Sequence, residues 1–101
     1  MSEEIVNIGF FYDVKRGHES EFERQFSDVL RYLKENGKGI KDAKLYREVD
    51  SSQYLILSTW ESVDAFREFV ESEAFKSVTH SGAEILNGKP YHRIFLTHIP
   101  Q

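Results

Sequence analysis

The segment that most constrains the fold is residues 5–13, Ile5-Val-Asn-Ile-Gly-Phe-Phe-Tyr-Asp13, a predicted β-strand rich in β-branched and aromatic residues. Side chains alternate between the two faces of a strand, so one face would carry Val6, Ile8, Phe10 and Tyr12. The other face would carry Ile5, Asn7, Gly9 and Phe11. Because both faces are largely apolar, the strand needs cover on both sides.

A long amphipathic helix is predicted next, over residues 20–35. Its apolar stripe has helical spacing and consists of Phe22, Phe26, Val29, Leu30 and Leu33. Gly37 or Gly39 would end this helix. Two strands follow, over residues 43–49 and 54–60, and the polar turn Asp50-Ser-Ser-Gln53 joins them as a hairpin.

A second helical region is predicted to begin at Ser62 or Asp64 and to break near Ser72. The segment after the break contains Phe75, Val78, Ile85 and Leu86 and would end at Asn87-Gly88. Pro90 precedes a last strand over residues 91–98. The order βαββαβ predicts an α+β, ferredoxin-like fold, with a four-stranded antiparallel sheet and both helical regions on one face.

This arrangement leaves the second face of the sheet without cover, although the first strand is apolar on that side and residues 55–57 are apolar without a break. Soluble monomers rarely expose such a surface. We therefore predict a homodimer in which two sheets pack face to face about a twofold axis. Residues 1–101 are expected to form a single domain, since domains commonly have about 100–150 residues.

Composition excludes several classes of function. The chain has no cysteine, so a disulfide framework and thiolate metal sites are excluded, and a reducing, cytoplasmic location is expected. The net charge of −4 argues against a nucleic-acid partner, because phosphate binding needs clustered Lys and Arg. No apolar run approaches the roughly 18 residues of a membrane helix, and Met1-Ser-Glu-Glu lacks the basic start of a signal peptide, so no membrane partner is expected.

Single residues give few candidates for chemistry. His80 is the strongest, because an imidazole can accept or donate a proton near neutral pH. His92 and His98 share strand parity, but six strand residues separate them by about 20 Å, so no metal site is expected. Trp60 could stack on an aromatic ligand, although its place at a strand end favours the core. Asn7 lies on the predicted dimer face, which favours a structural role.

The middle of the chain resembles the antibiotic biosynthesis monooxygenase superfamily. The resemblance lies in Tyr54-Leu-Ile-Leu-Ser-Thr-Trp60-Glu-Ser62-Val-Asp-Ala-Phe66 and in Glu71-Ser72-Glu-Ala-Phe75-Lys76, a strand that ends in a Trp-Glu-Ser step and a Ser-x-x-Phe-Lys turn that begins a helix. Gly17, nine residues before Phe26, and the tail Ile85-Leu-x-Gly88-x-Pro90-x-His92 also fit. The resemblance covers most of the chain.

This resemblance implies a dimeric α+β barrel with a small cavity between sheet and helices in each subunit. It also implies a monooxygenase that uses no flavin, metal or other cofactor, in which a deprotonated, electron-rich aromatic or polycyclic substrate passes an electron to O2. On this hypothesis the cavity walls are Phe10, Tyr12, Phe66, Phe69 and Phe75, and His80 is the catalytic acid/base. The partners would be a small aromatic ligand and a second copy of the chain.

Two alternatives remain open. Haem-degrading members of the same superfamily use an Asn, a Trp and a His, and these positions fall here on Phe10, Phe69 and Thr79. His80 is one residue, or about 100° of helix rotation, beyond the His position. The second alternative is a ligand-binding dimer that has lost catalysis, and the mismatched triad favours it. A cavity filled by Phe10 and Phe69 would favour it further.

Overall fold

The first strand, β1 (Val6–Asp13), occupies an inner position of a four-stranded antiparallel sheet. The computed structural model describes residues 5–36 and 38–96. The other elements are α1 (Glu19–Asn36), β2 (Ile40–Arg47), β3 (Gln53–Trp60), α2 (Val63–Val70), α3 (Glu73–Gly82), a 3-10 turn (Ala83–Ile85) and β4 (Tyr91–Leu96). The strand order β2-β3-β1-β4 and the predicted βαββαβ chain order agree, so the α+β, ferredoxin-like fold is confirmed.

Two predicted boundaries are wrong. β2 was expected over residues 43–49, but it begins at Ile40, which pairs with Trp60, and Gly39 accepts a hydrogen bond from the Glu61 amide. The last helical segment ends at Gly82, and Leu86 forms an isolated bridge with Val14 instead of a helical turn. Gly37 and residues 97–98, which the predictions also used, lie outside the described residues.

Serine caps define the break between the last two helices. Ser62 accepts a hydrogen bond from the Ala65 amide at 3.1 Å and begins α2. Ser72 accepts one from the Phe75 amide at 3.2 Å and donates its hydroxyl to the Phe69 carbonyl at 2.6 Å. The predicted break near Ser72 is therefore confirmed, and its cap sets the rings of Phe69 and Phe75 edge to face, 5.0 Å apart.

The buried core consists of two clusters on the helix side of the sheet. The first contains Val6, Ile8, Leu33, Trp60 and Phe66, and the second contains Val14, Phe22, Tyr54 and Ile85. Helix α1 contributes Phe22 to one cluster and Leu33 to the other. Eleven helical residues span about 16 Å, so α1 is held near both ends while its middle crosses the space between the clusters.

The other side of the sheet has no cover from any described element. We call this side the open face; it contains Asn7, Gly9, Phe11, Lys44, Tyr46, Leu55, Leu57, Thr59, Tyr91, Arg93 and Phe95, which are cross-strand partners in the sheet register. Tyr46, Tyr91 and Phe95 are 47%, 54% and 47% exposed. One chain therefore leaves a broad, partly aromatic surface in contact with solvent.

Candidate functional site

A cavity of about 420 Å³ lies between the sheet, α1 and α3, in the space between the two core clusters. Its walls are mainly aromatic and aliphatic. The lining residues are Phe10, Tyr12, Phe22, Gln25, Phe26, Asp28, Val29, Tyr32, Leu33, Ala43, Ile56, Ser58, Trp60, Phe69, Phe75, Ser77, Leu86 and Pro90. Phe10 and Phe69 form part of its wall and do not fill it. This removes one argument for the alternative of a ligand-binding dimer that has lost catalysis.

Four of the five predicted wall residues line this cavity, namely Phe10, Tyr12, Phe69 and Phe75. The Phe10 ring centre lies 6.1 Å from that of Tyr12 and 6.0 Å from that of Phe75. Phe66 is not among the lining residues; it is 1% exposed and packs 5.8 Å from Phe10. Contact between these side chains and a substrate stays a prediction.

The inner polar groups of the cavity are uncharged. Burial raises the pKa of Tyr12 to about 12, so its phenol keeps its proton at neutral pH. The Trp60 indole Nε1–H donates to Ser58 Oγ at 2.9 Å, and Ser58 Oγ donates to the Ile8 carbonyl at 3.4 Å. Trp60 is thus a buried core residue as predicted, and it also presents its ring to the cavity.

The exposed lining residues Asp28, Tyr32 and Ser77 lie on α1 and α3, so we place the mouth of the cavity between these helices. Gln25, Asp28 and Tyr32 from α1 and Ser77 from α3 place polar groups there. The Asp28 side chain is 68% exposed, and its Oδ1 lies 3.8 Å from the Arg31 guanidinium. None of these four residues is predicted from the sequence as part of a site. Positions 25, 28 and 32 nevertheless follow the edge of the apolar stripe of α1 at helical spacing.

Two hydrogen bonds fix the first half of α1, one to β3 and one to the turn that precedes β3. The Tyr54 hydroxyl donates to Glu23 Oε2 at 2.5 Å, and the Ser52 hydroxyl donates to Glu19 Oε2 at 2.5 Å. Burial, followed by the bond to Glu23, raises the pKa of Tyr54 to about 12. The bond from Ser52 is the main cause of a lowered pKa at Glu19. These contacts set the distance between α1 and the sheet beside the cavity.

The histidine and asparagine candidates lie away from the cavity walls. His80 is on α3, exposed, and outside the set of lining residues described above, so its acid/base role stays a prediction. Asn7 lies on the open face, where its amide nitrogen donates to the Phe95 carbonyl at 3.5 Å and its oxygen accepts from Thr59 at 3.4 Å. The His92 ring packs 5.1 Å from Phe10.

Within residues 5–36 and 38–96, no group of three or more His, Asp or Glu side chains is placed to hold a metal ion. His98, the second histidine of the pair weighed from the sequence, lies outside these ranges. No helix in the same ranges is long and apolar enough to cross a membrane.

Comparisons with known proteins agree with this geometry. The family model described as antibiotic biosynthesis monooxygenase matches residues 5–80. A protein of Natronomonas pharaonis, named as a candidate heme-binding protein, is 29% identical over 89 residues. The match covers 88% of this chain, which spans only 15% of the length of that relative.

Solved structures show the same fold. A candidate antibiotic biosynthesis monooxygenase of Caulobacter crescentus has a TM-score of 0.83 at 21% identity, over 92% of this chain and 89% of that one. A variant of SnoaB, a cofactor-independent oxygenase of Streptomyces nogalater, has a TM-score of 0.79 at 21% identity, over 98% and 97% of the two chains. At these identities the likeness establishes the fold and leaves the chemistry to the site.

Proposed function

The chain belongs to the antibiotic biosynthesis monooxygenase family, and on this premise we propose that residues 1–101 form one domain that is a monooxygenase without flavin, haem or metal, acting on an aromatic or polycyclic substrate. The observation that supports this most directly is the apolar cavity of about 420 Å³. Small-molecule sites commonly measure about 300–1,000 Å³ and are lined by hydrophobic and aromatic side chains. The structural likeness to a cofactor-independent oxygenase gives further support.

The proposed reaction uses the substrate itself as the source of electrons. A deprotonated substrate carbon that carried two hydrogens passes one electron to O2, and the resulting radicals combine to form a C–O bond. The O–O bond of this peroxide then breaks, so that one oxygen stays on the substrate as a carbonyl and the other leaves as water. The protein holds the substrate rings between Phe10, Phe69 and Phe75 and excludes bulk water from the reacting carbon.

Proton transfer is assigned to His80, as the sequence analysis predicted. Because His80 is exposed on α3 and does not line the cavity, the proton would pass between substrate and imidazole through water. We therefore expect His80 to contribute a modest factor in rate. The larger share of the rate would come from confinement and orientation in the cavity.

Oxygen uptake tests the proposal directly. The purified protein is incubated with a panel of two-ring and three-ring phenols and anthrones under isotopically heavy O2, and the product mass is measured with and without a metal chelator. We expect one heavy oxygen atom per product molecule and no effect of the chelator. If no member of the panel binds or turns over, the proposal is wrong.

A cavity-filling variant provides the structural control. Ala43→Phe places a ring in the cavity from β2 and should lower both binding and turnover about tenfold or more, because it removes ligand volume. Val49→Phe adds the same ring at a side chain that is 83% exposed, and should leave both unchanged. Thermal unfolding of the two variants shows whether either loss comes from misfolding.

Haem binding is the second candidate function, favoured by the name of the Natronomonas pharaonis relative. Phe10 and Phe69 occupy the positions of the Asn and the Trp used by haem-degrading members, and both line the cavity. Titration with haemin decides between the two candidates. A shifted Soret band that saturates at one haem per subunit would replace the first proposal, whereas no shift leaves it in place.

The functional unit is proposed to be a homodimer, in which two open faces pack together as a dimeric α+β barrel. The support is the partly aromatic open face, in which Tyr91 and Phe95 are about half exposed in one chain. Light scattering at micromolar concentration should give a mass near twice 11.8 kDa. A single species at 11.8 kDa would contradict the dimer and leave the cavity proposal unaffected.

A further inference from the structure

The described walls of the cavity include a negatively charged side chain and no positively charged one. None of the described lining residues is Lys, Arg or His, and Asp28 at the mouth is the one carboxylate among them. The hydroxyl of Tyr12 is uncharged at neutral pH, and burial raises its pKa further, from 10.0 to about 12. A ligand that enters this space therefore meets no cationic side chain on the walls that the structure describes.

An anionic ligand group would lose its hydration in such a space and gain little in return. Moving an ionised carboxylate out of water is strongly unfavourable unless a cation or several hydrogen-bond donors replace the lost water. Two donors on the wall are already used, since Trp60 donates to Ser58 and Ser58 donates to the Ile8 carbonyl, and the remaining donors such as the Tyr12 hydroxyl are uncharged. The interior thus favours uncharged ligands by desolvation alone.

Asp28 adds repulsion at the entrance. Asp28 lines the cavity, whereas Arg31, whose guanidinium lies 3.8 Å from the Asp28 carboxylate, does not. Because the Asp28 side chain is 68% exposed, solvent screens its field, and we expect a factor of a few in affinity. The net charge of −4 acts in the same direction.

We propose that the cavity selects uncharged aromatic ligands over carboxylated ones of the same ring size, and that Asp28 is a specificity-determining residue at its mouth. This inference rests on the proposed function in that it concerns the same cavity, but it is a statement about binding and requires no turnover. Haem, which has two carboxylates, is disfavoured on the same grounds. A neutral phenol or ketone is the class of ligand that the walls accept, and in the proposed reaction it enters uncharged and loses its proton only after binding, when the negative charge is spread over its rings.

A matched pair of probes tests the inference. 2-Naphthol is uncharged at pH 7 and 2-naphthoate is ionised, while their ring systems are identical. Trp60 is the single tryptophan and lines the cavity, so quenching of its fluorescence reports ligand in this site. Calorimetric titration supplies the dissociation constants. We expect the naphthol to bind at least about tenfold more tightly.

Variants of α1 separate Asp28 from general charge. Asp28→Asn should narrow the naphthol-to-naphthoate affinity ratio about threefold, and Asp28→Lys should narrow it further. Glu35→Gln removes one negative charge from the same helix at an exposed residue outside the lining set, so it should leave the ratio as in the unmodified protein. Thermal unfolding shows that each variant is folded before binding is compared.

Each outcome bears on a distinct claim. Equal or tighter binding of naphthoate by the unmodified protein overturns the inference and leaves the proposed monooxygenase standing. Equal shifts of the ratio in Asp28→Asn and Glu35→Gln overturn the role of Asp28. Selective naphthol binding without turnover of any aromatic probe supports the inference while the proposed function fails. Absence of binding by both probes overturns the inference, and the oxygen-uptake panel then decides the proposed function separately.

Discussion

The two faces of the sheet are built from the same strands and differ sharply in burial. On the helix face, Val6 and Ile8 of β1 are 0% exposed, and Trp60 of β3 is 2% exposed. On the open face of the same two strands, Phe11, Leu55 and Leu57 are only partly buried, whereas β4 is exposed on both faces, with Phe95 47% and Ile94 40% exposed. Along β1 and β3, the buried contacts of one chain therefore lie on the helix face, and the proposed dimer would supply contacts on the open face.

The largest expected effect is at the centre of the helix face. Phe66 is 1% exposed and packs against Trp60 with ring centres 5.6 Å apart. Phe66→Ala leaves a cavity there and should lower the free energy of unfolding by about 3–5 kcal/mol. Urea unfolding measures this loss, and Val49→Ala at an 83% exposed side chain provides the control. Equal stability of the two variants would refute the assignment of the core.

A charge on the open face should separate association from stability. Leu57 lies opposite Gly9 of β1 and Lys44 of β2 in the sheet register. Leu57→Lys would bury an unpaired ammonium in the proposed dimer and weaken it about 100-fold or more, which corresponds to a few kcal/mol. Light scattering over a dilution series measures the effect.

The matched control for this change is Val49→Lys, which introduces the same charge away from both faces, at an 83% exposed side chain. It should leave the mass of the assembly unchanged. If Leu57→Lys has the mass of the unmodified protein at every concentration, the open face is not the dimer interface.

The two faces also show which features of the structure could be predicted from the sequence. Alternation along residues 5–13 correctly placed Phe10 and Tyr12 on the covered side and Asn7 on the other, because strand parity depends only on local geometry. The βαββαβ order followed from equally local signals. The Ser72 cap could be predicted for the same reason.

Features that depend on tertiary spacing could not be predicted in this way. Phe66 and Phe75 lie in neighbouring helices, yet Phe66 packs behind Phe10 and Phe75 faces the cavity. Their separation depends on how α3 turns after Ser72. Nothing in the sequence singles out Asp28, because its place at the cavity depends on the distance between α1 and the sheet. The early start of β2 at Ile40 likewise needs its pairing with Trp60.

A smaller effect is expected from His80. His80→Ala should lower the rate of the proposed oxygenation several-fold and leave 2-naphthol binding unchanged. This is less than the effect of an acid or base that contacts the substrate directly, because His80 would act through water. The change should be visible in the pH dependence of the rate. His18→Ala is the matched control, because His18 contacts Glu21 at 3.1 Å, and its imidazole is not among the lining residues. An unchanged rate in His80→Ala removes the predicted role.

The last expected effect is confined to high pH, where a loss of stability should originate on the helix face. The pKa values of Tyr12 and Tyr54 rise from 10.0 to about 12 on folding. Between these values the folded state holds protons that the unfolded state has lost, so the free energy of unfolding falls as the pH rises from 10.0 to about 12. Below that window the two tyrosines are protonated in both states and contribute no pH dependence to the free energy of unfolding. Urea unfolding at several pH values gives the free energy of unfolding as a function of pH. Its decrease between pH 10.0 and about 12 should be smaller in Tyr12→Phe and Tyr54→Phe and unchanged in Tyr46→Phe on the open face. A decrease that persists unchanged in both helix-face variants would show that other groups cause it.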